Sequence, residues 1–294
     1  MKKLSILFFF IPLALSSLAC GFPTLNDQLF NYSQYRSSAL FGNSAYAALH
    51  RGTGLALATQ SSSMGSYNSL TGFTSFKNYT LQLNYGEIRN EFNLNQNVSF
   101  GLSRKFDFQG FSIATGLSLN AGKSIGSFNR ISGSERFKFQ TGWEDFNSFS
   151  DQYVASSFAT VVEYKNLRAL LSLNDVLLKS VESQMLPKTL NAGLTYKHQH
   201  KSIQLTHGFN YSKRAYNSQL LGFSSGTYKF LEVGFGFKYR DTEIQALMML
   251  GIELGKYQLS YAYTGTPSTS GPAVDIHTPL QAAHEASLAW NLNK

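Results

Sequence analysis

The chain of 294 residues has only one cysteine, Cys20, so no disulfide can form within it. Charged residues make up only 14% of the sequence, prolines number six, and aromatic residues make up another 14%, which is unlike the composition of disordered proteins. After residue 20, no apolar run approaches the ~20 residues that a membrane-spanning helix needs. If the mature chain crosses a membrane, it must therefore cross with strands.

Residues 1–19 have the three parts of a secretory signal peptide: two lysines, an apolar stretch from Leu4 to Leu15, and small residues before Cys20. We expect this leader to be removed. Two outcomes are open for Cys20: it is lipidated after cleavage, as the cysteine of a lipobox is, or ordinary cleavage near Ala19 or Gly21 discards it or leaves a terminal thiol.

Strict alternation of apolar and polar or small residues is the main structural signal in the rest of the chain. In residues 231–239, one face carries Leu, Val, Phe, Phe and Tyr, and the other carries Glu, Gly, Gly and Lys. A period of two predicts a strand. About fourteen segments show this pattern, of which those near 67–76 and 218–226 are the weakest. The sequence therefore predicts an all-β fold.

The connections between these segments mostly alternate between short and long, with the short link 240–242 as the one exception. The predicted short links are 77–78, 107–109, 165–166, 198–200, 227–229 and 255–256, and the predicted long ones are 60–66, 88–96, 122–153, 175–187 and 264–283. A soluble sandwich, which is the alternative, has no reason to sort its loops in this way. A transmembrane up-and-down antiparallel β-barrel of about 14 strands does, because it has short turns at one end and longer loops at the other. We expect a polar lumen inside, lipid outside, an N-terminal periplasmic segment at 20–51 and the barrel at 52–294.

Two stretches resemble a known family. Tyr32-Ser33-Gln34-Tyr35, followed by Asn43-Ser44-Ala45-Tyr46-Ala47-Ala48 and Arg51-Gly52, is similar to the SQY…NPAYAG…RG signature of the PorP/SprF family of type IX secretion system membrane proteins. The stretch 284–292, HEASLAWNL, resembles the closing strand of that family. Ser44 stands where the family usually has proline, and Ala48 where it usually has glycine.

The resemblance implies a role in protein secretion rather than catalysis. Members are barrels in the outer membrane of Gram-negative bacteria that work with the type IX secretion machinery. Each is typically needed for export or surface attachment of a particular large secreted protein with a C-terminal sorting domain, such as an adhesin, sometimes one involved in gliding motility. The alternative function is that of a general porin or small-solute channel. Neither function requires a cofactor.

Catalytic and metal sites are not expected. His198 and His200 lie between lysines, and we interpret their segment as a solvated turn, while Asp275 and His277 lack a neighbouring nucleophile. The net charge of +8 could indicate nucleic acid, but many of the basic residues lie singly in predicted turns and no recognition motif is present. We expect them to meet anionic lipid headgroups or periplasmic partners instead.

The predicted loop 122–153 is the candidate partner-binding element because it is long and mixes aromatic residues with charges. Its candidate contact residues are Phe137, Phe139, Trp143 and Phe146, since aromatic side chains often dominate binding interfaces. Alternatively, this loop folds inward and plugs the lumen. The segment 21–50 has no predicted strand, and we expect it at the periplasmic mouth, where it plugs the barrel or contacts other machinery.

Overall fold

The computed structural model describes residues 43–49, 52–62, 65–89, 93–126, 149–180, 189–214, 217–240, 243–265 and 283–291. One helical turn, α1 (Ser44–Ala47), precedes the strands. Fourteen strands follow: β1 (Thr53–Ser62), β2 (Gly65–Phe76), β3 (Tyr79–Arg89), β4 (Asn93–Phe108), β5 (Phe111–Gly126), β6 (Phe149–Tyr164), β7 (Leu167–Ser180), β8 (Thr189–His200), β9 (Ile203–Arg214), β10 (Asn217–Tyr228), β11 (Leu231–Arg240), β12 (Glu243–Leu254), β13 (Tyr257–Gly265) and β14 (Ala283–Asn291).

These strands form a closed barrel in which each strand pairs with its sequence neighbours in antiparallel fashion. Closure comes from β1 and β14, which pair from Gly54 opposite Asn291 to Ser62 opposite Ala283. Because the barrel is closed, no strand of the described sheet has an edge that is unpaired along its whole length. The predicted up-and-down barrel of about 14 strands is confirmed, and the two weakest segments of the sequence are β2 and β10. Within the described residues, no helix is long and apolar enough to span a membrane.

The alternation in sequence sorts the side chains between the outside and the inside of the barrel. In β11, Phe235 points outward and is 71% exposed, whereas Glu232, on the inner face of the same strand, is 3% exposed. The same outward band of Leu, Val, Ile, Phe and Tyr surrounds the other strands. An apolar outer wall that is exposed on every strand fits lipid rather than water, since nothing else covers it in the described part of the chain.

Six two-residue turns lie at one end of the barrel, which we call the short-turn rim: 77–78, 109–110, 165–166, 201–202, 229–230 and 255–256. Three of them are at the predicted positions, whereas the links predicted at 107–109, 198–200 and 227–229 are wrong in position, because the strands before them run further and the turns lie at 109–110, 201–202 and 229–230. Four of these turns begin with a lysine in the left-handed region of φ, between 51° and 56°. A two-residue hairpin loop with positive φ at its first position matches the twist of the strands that it joins.

The predicted long links at 60–66 and 88–96 are wrong, because β1 and β2 leave only two residues between them, and β3 and β4 only three. The strands also extend into the predicted loops 122–153, 175–187 and 264–283. Here the outward positions become polar, as at Glu87, Gln96 and Lys123, because the strand ends pass beyond the apolar band. Because the polarity of these strand ends does not alternate, the sequence pattern predicts loops there.

β7 is interrupted by a bulge. Its pairing with β6 shifts register near Ser157, where Asp175 adopts a φ of 58°. The Asp175 side chain is buried, and its backbone N–H donates to the Ser157 hydroxyl at 3.3 Å. The ladder between β7 and β8 ends at Asn174 opposite Thr189. Beyond this point, residues 176–180 of β7 pair only with β6 in the described part of the chain.

Candidate functional site: the lumen and the segment bound in it

Residues 43–49 lie inside the barrel as a capped helical turn. The Asn43 side chain accepts a hydrogen bond from the Tyr46 backbone N–H at 3.2 Å, which is the usual role of asparagine at a helix N-cap. The backbone of Ala48 closes the turn by donating to the Ala45 carbonyl at 3.2 Å. All four residues of α1 are buried. The turn packs against the inner faces of β3 to β6.

Two glycines of the inner wall make room for α1. A Cβ atom built on Gly116 of β5 would lie 2.5 Å from both the Ala45 nitrogen and the Ser44 hydroxyl oxygen. A Cβ atom on Gly101 of β4 would lie 3.3 Å from the Ser44 Cβ. Any side chain at Gly116 would therefore occupy the space of the α1 backbone. The recess that the two glycines form fixes where the segment sits against the wall.

Arg168 holds α1 from the opposite side. Its Nη1 donates to the Tyr46 phenol oxygen at 2.7 Å, and its guanidinium carbon lies 5.2 Å from the centre of the Tyr46 ring. Its Nε and Nη2 donate to Oε1 of Glu163 at 2.9 and 2.6 Å. Glu163 and Arg168 face each other across the β6–β7 hairpin. The turn of this hairpin, Lys165-Asn166, thus places the anchor of α1 close to the short-turn rim.

The second oxygen of Glu163 connects this anchor to β4 and β5. It accepts a hydrogen bond from the Ser112 hydroxyl at 3.4 Å, and the Lys105 ammonium lies 3.8 Å away. Lys105 also pairs with Asp107 at 3.4 Å. Two cations and two carboxylates thus balance in a partly exposed network. Such a network fixes orientation more than it adds stability, because water screens partly exposed charges.

The remaining inner wall has a polar and an apolar side. On β2 to β4, the side chains of Thr71 and Gln82 donate to Asn84 at 2.8 Å, and Asn84 donates to Ser99 at 2.7 Å. On β10 to β13, an apolar inner patch is formed by Leu221, Phe223, Leu247, Met249 and Ala262. Gly234 between them leaves room for Met249, whose Cε would lie 2.6 Å from an added Cβ.

The sequence-predicted contact residues Phe137, Phe139, Trp143 and Phe146 lie outside the described residues, as do Cys20, Asp275 and His277. Of the segment 21–50, only 43–49 is described. His198 and His200 belong to β8 rather than to a turn, because the turn is Lys201-Ser202. The His198 ring stacks on Tyr196 and His207 of the outer face, at 5.4 and 5.5 Å between ring centres. In the described ranges, no three His, Cys, Asp or Glu side chains cluster so as to hold a metal ion.

The anchor residues Glu163, Arg168 and Lys105 were not identified from the sequence. A signal was present, because Glu163 and Arg168 are placed symmetrically about the turn Lys165-Asn166 and both fall on the inward face of alternating strands. A carboxylate and a guanidinium directly opposite each other in a hairpin predict an ion pair. Nothing local, however, connects that pair to Tyr46.

No family model matches the chain, and no curated protein matches it. Among solved structures, the Pseudomonas putida toluene transporter TodX is similar at 8% identity, with a TM-score of 0.52, over 88% of this chain and 94% of that one. A deltaS2 mutant of TodX, described as a monoaromatic hydrocarbon channel, gives 9% identity, a TM-score of 0.51, and coverage of 87% and 94%. The Acinetobacter baumannii outer membrane protein Omp33 has 8% identity and a TM-score of 0.47, and the match covers 81% of this chain and 98% of that one.

The closed fourteen-stranded barrel, its apolar outer wall and its likeness in fold to TodX define the chain as a β-barrel of the outer-membrane type. This class occupies the outer membrane of Gram-negative bacteria.

Proposed function

We propose that this barrel is a component of the type IX secretion system, needed for export or surface attachment of a specific large secreted protein. The two stretches that resemble the PorP/SprF family support the proposal, because each has a distinct structural role. Residues 43–48 form the turn that docks in the lumen, and residues 284–291 belong to β14, which closes the barrel against β1. The described parts of the two resembling stretches thus coincide with the docked turn and with the closing strand, while residues 32–35 and Arg51 lie outside the described residues.

The observation that carries the proposal is the burial of the inner wall. Polar side chains that face the lumen, among them Thr71, Gln82 and Gln245, are 0–4% exposed. A diffusion porin needs a lumen lined by water-accessible side chains. A barrel whose inner wall is buried and whose lumen holds residues 43–49 of its own chain is better suited to present a rigid surface to a protein partner.

A channel for small apolar solutes is the second candidate, and the apolar inner patch favours it. Leu221, Phe223, Leu247 and Met249 form an apolar area inside an otherwise polar wall, but they are only 0–5% exposed, so a solute would meet them only in a barrel with a more open lumen. The likeness to TodX concerns the fold alone and does not decide between the two functions.

Deletion of the gene separates these candidates. For a dedicated secretion partner, we expect one or a few large proteins to disappear from the cell surface, while other exported proteins remain and uptake of small solutes is unchanged. A solute channel would give the reverse result. The readouts are the surface proteome, compared by mass spectrometry, and the uptake rates of small polar and apolar solutes in the same strain. An unaltered surface proteome together with reduced uptake would refute the proposal.

A variant strain then locates the contact with the secreted protein. Replacing Phe139, Trp143 and Phe146 together with Ala should reproduce the surface defect of the deletion while the barrel still assembles, because aromatic side chains provide most of the energy of many interfaces. The matched control replaces Phe76, Phe108 and Phe230, three exposed aromatic residues of the short-turn rim, with Ala. If the triple variant has the surface proteome of the parent strain, the contact with the secreted protein lies elsewhere. Residues 21–50 are then the next segment to test.

A further inference from the structure

The short-turn rim carries a ring of positive charge. Five of its six turns contain a lysine and none contains an acidic residue: Lys77, Lys165, Lys201, Lys229 and Lys256. The exception is Gln109-Gly110. All five lysines are exposed, and they are spread over hairpins all around the barrel from β2 to β13. A single protein partner would require a patch on one side, whereas a ring fits a surface that surrounds the barrel.

Three of these lysines lie over aromatic rings. The ammonium groups of Lys77, Lys165 and Lys229 lie 5.2–5.4 Å from the ring centres of the aromatic residues that precede them in the chain. These aromatic residues, Phe76, Tyr164 and Tyr228, are the last residues of their strands and are exposed on the outer face. Each pair therefore places a cation where the apolar band ends, which is the level of lipid headgroups.

Arg104 provides a more ordered site on the same rim. It faces outward from β4, and its guanidinium carbon lies 4.9 Å from the Tyr79 ring centre and 4.7 Å from that of Phe106. Its cross-strand partner, Tyr79, is the first residue after the turn that contains Lys77. Among the described residues, no carboxylate forms an ion pair with Arg104. The two rings fix the guanidinium plane, while its N–H donors are left for an oxyanion.

We infer that the short-turn rim binds the phosphate groups of anionic phospholipids, with Arg104 and the lysine ring as the recognising groups. Guanidinium and ammonium groups beside exposed rings match a headgroup whose phosphate lies in water and whose acyl chains lie against the apolar wall. The described outward residues of the opposite rim include Glu87 and Gln96 beside Lys123 and Lys213, and neither of these two lysines lies over an aromatic ring among the described residues. The inference assigns the short turns to the leaflet that is rich in anionic phospholipid, and it does not depend on the secretory role.

The test measures lipid preference on the purified, delipidated barrel. Phosphatidylglycerol and phosphatidylcholine with the same acyl chains compete for the protein in detergent, and native mass spectrometry counts the bound lipids. We expect phosphatidylglycerol to be preferred. Arg104→Gln should lower this preference about fivefold, the effect expected for one basic residue at a membrane surface. The triple variant Lys77→Gln/Lys165→Gln/Lys229→Gln should lower it further.

A control variant removes two positive charges from the opposite rim, one more than Arg104→Gln and one fewer than the lysine triple variant. Lys123 and Lys213 face outward there and are exposed, so Lys123→Gln/Lys213→Gln should keep the preference of the parent. A closed β-barrel resists detergent until it is heated, so a difference in migration between unheated and boiled samples on a detergent gel checks that every variant is folded. An excess of inorganic phosphate over lipid distinguishes the ligand, because a headgroup site keeps its lipid whereas a free phosphate site loses it.

Equal retention of the two lipids by the parent protein would overturn the inference. So would an equal loss of preference in the Lys123/Lys213 control, because the effect would then reflect net charge rather than the short-turn rim. Displacement of the lipid by inorganic phosphate would overturn the assignment to lipid. If the parent shows no lipid preference but the lysine variants lose an acidic periplasmic protein that co-purifies with it, the ring is a protein interface instead.

Discussion

The Arg168 guanidinium donates a 2.7 Å hydrogen bond to the Tyr46 phenol oxygen, across 122 positions of the sequence. This contact joins the segment before the first strand to a hairpin halfway along the chain. Because Arg168 is itself fixed by Glu163, the phenol meets a preoriented donor rather than a mobile side chain. The docked position of α1 is therefore set jointly by the recess at Gly116 and by this anchor.

Removing the phenol oxygen should loosen the docked segment without disturbing the barrel. Ala47 is fully buried, so in a Cys20→Ser background a cysteine at position 47 should react slowly with a water-soluble maleimide. Tyr46→Phe keeps the ring and loses one hydrogen bond, worth about 1 kcal/mol, so labelling should accelerate about fivefold. Tyr85→Phe, which removes a phenol that donates to Glu87 on the outer face, is the control and should leave the rate unchanged. Equal rates in all three proteins would show that the anchor does not hold α1.

The recess in the wall makes a separate prediction. Gly116→Ala places a methyl group where the α1 backbone lies, so the segment must shift, at a cost of about 1–3 kcal/mol typical of overpacking. Labelling at position 47 should then be faster than in the parent. Gly72→Ala is the matched control, because a Cβ there would meet only the Leu55 side chain, at 3.4 Å. If the two alanine variants behave alike, the effect belongs to strand backbone entropy rather than to the recess.

A substitution at Ser44, the first residue of α1, should have the opposite effect and slow labelling at position 47. Asn43 has a φ of −148° and a ψ of 99°, an extended conformation that a following proline favours, and Ser44 is the first residue of α1. Ser44→Pro should therefore be tolerated and should slow labelling at position 47 two- to fivefold, for a gain of about 0.4–1 kcal/mol. Ala48→Pro removes the donor to the Ala45 carbonyl and should accelerate labelling. A faster rate in the Ser44→Pro variant would mean that the turn is not capped by Asn43 in solution.

Topology can be tested with single cysteines on intact cells, again in the Cys20→Ser background. If the short turns face the periplasm, Asn166→Cys should resist a membrane-impermeant maleimide. Ser134→Cys and Ser270→Cys, in the connections at the opposite end and outside the described residues, should be labelled. Disruption of the outer membrane should make Asn166→Cys reactive and thereby confirm that its thiol is free. Equal labelling of all three on intact cells would contradict this orientation.

The lipid-facing band and the strand count were predictable because membrane and lumen impose opposite polarity on successive residues, as at Val233 and Glu232. This signal fails where a strand leaves the bilayer, since both faces are then wet. For that reason β3 and β4 are longer than their alternation indicated, with Glu87 and Gln96 in strands rather than in a loop.

The lumen was less predictable than the wall. Alternation shows that Glu163 and Arg168 point inward, but it does not show which distant residue they meet, because that depends on barrel curvature and on the path of the N-terminal segment. The bulge at Asp175 likewise has no local signal, since a positive φ at an aspartate depends on the register of neighbouring strands. The helical cap at Asn43 was within reach of sequence reasoning, because asparagine before a short helical stretch is a known N-cap pattern.

The last prediction concerns the lipid-facing wall, where the cost of introducing a charge should depend on its depth in the bilayer. Phe235 lies in the middle of β11 and is 71% exposed on the outer face, whereas Tyr239 lies near the end of that strand away from the short turns. In a bilayer, Phe235→Lys should cost about 2–4 kcal/mol of unfolding free energy and Tyr239→Lys only about 0–1, since the penalty for a charge falls from the midplane to the interface. The measurement is reversible urea unfolding in lipid vesicles, followed by intrinsic fluorescence. The inward change Ser118→Ala is the control that leaves the outer face intact. If the two lysine variants lose equal stability, or if Phe235→Lys is neutral, the exposed apolar band does not face lipid, because a water-facing surface would accept lysine at either position without a dependence on depth.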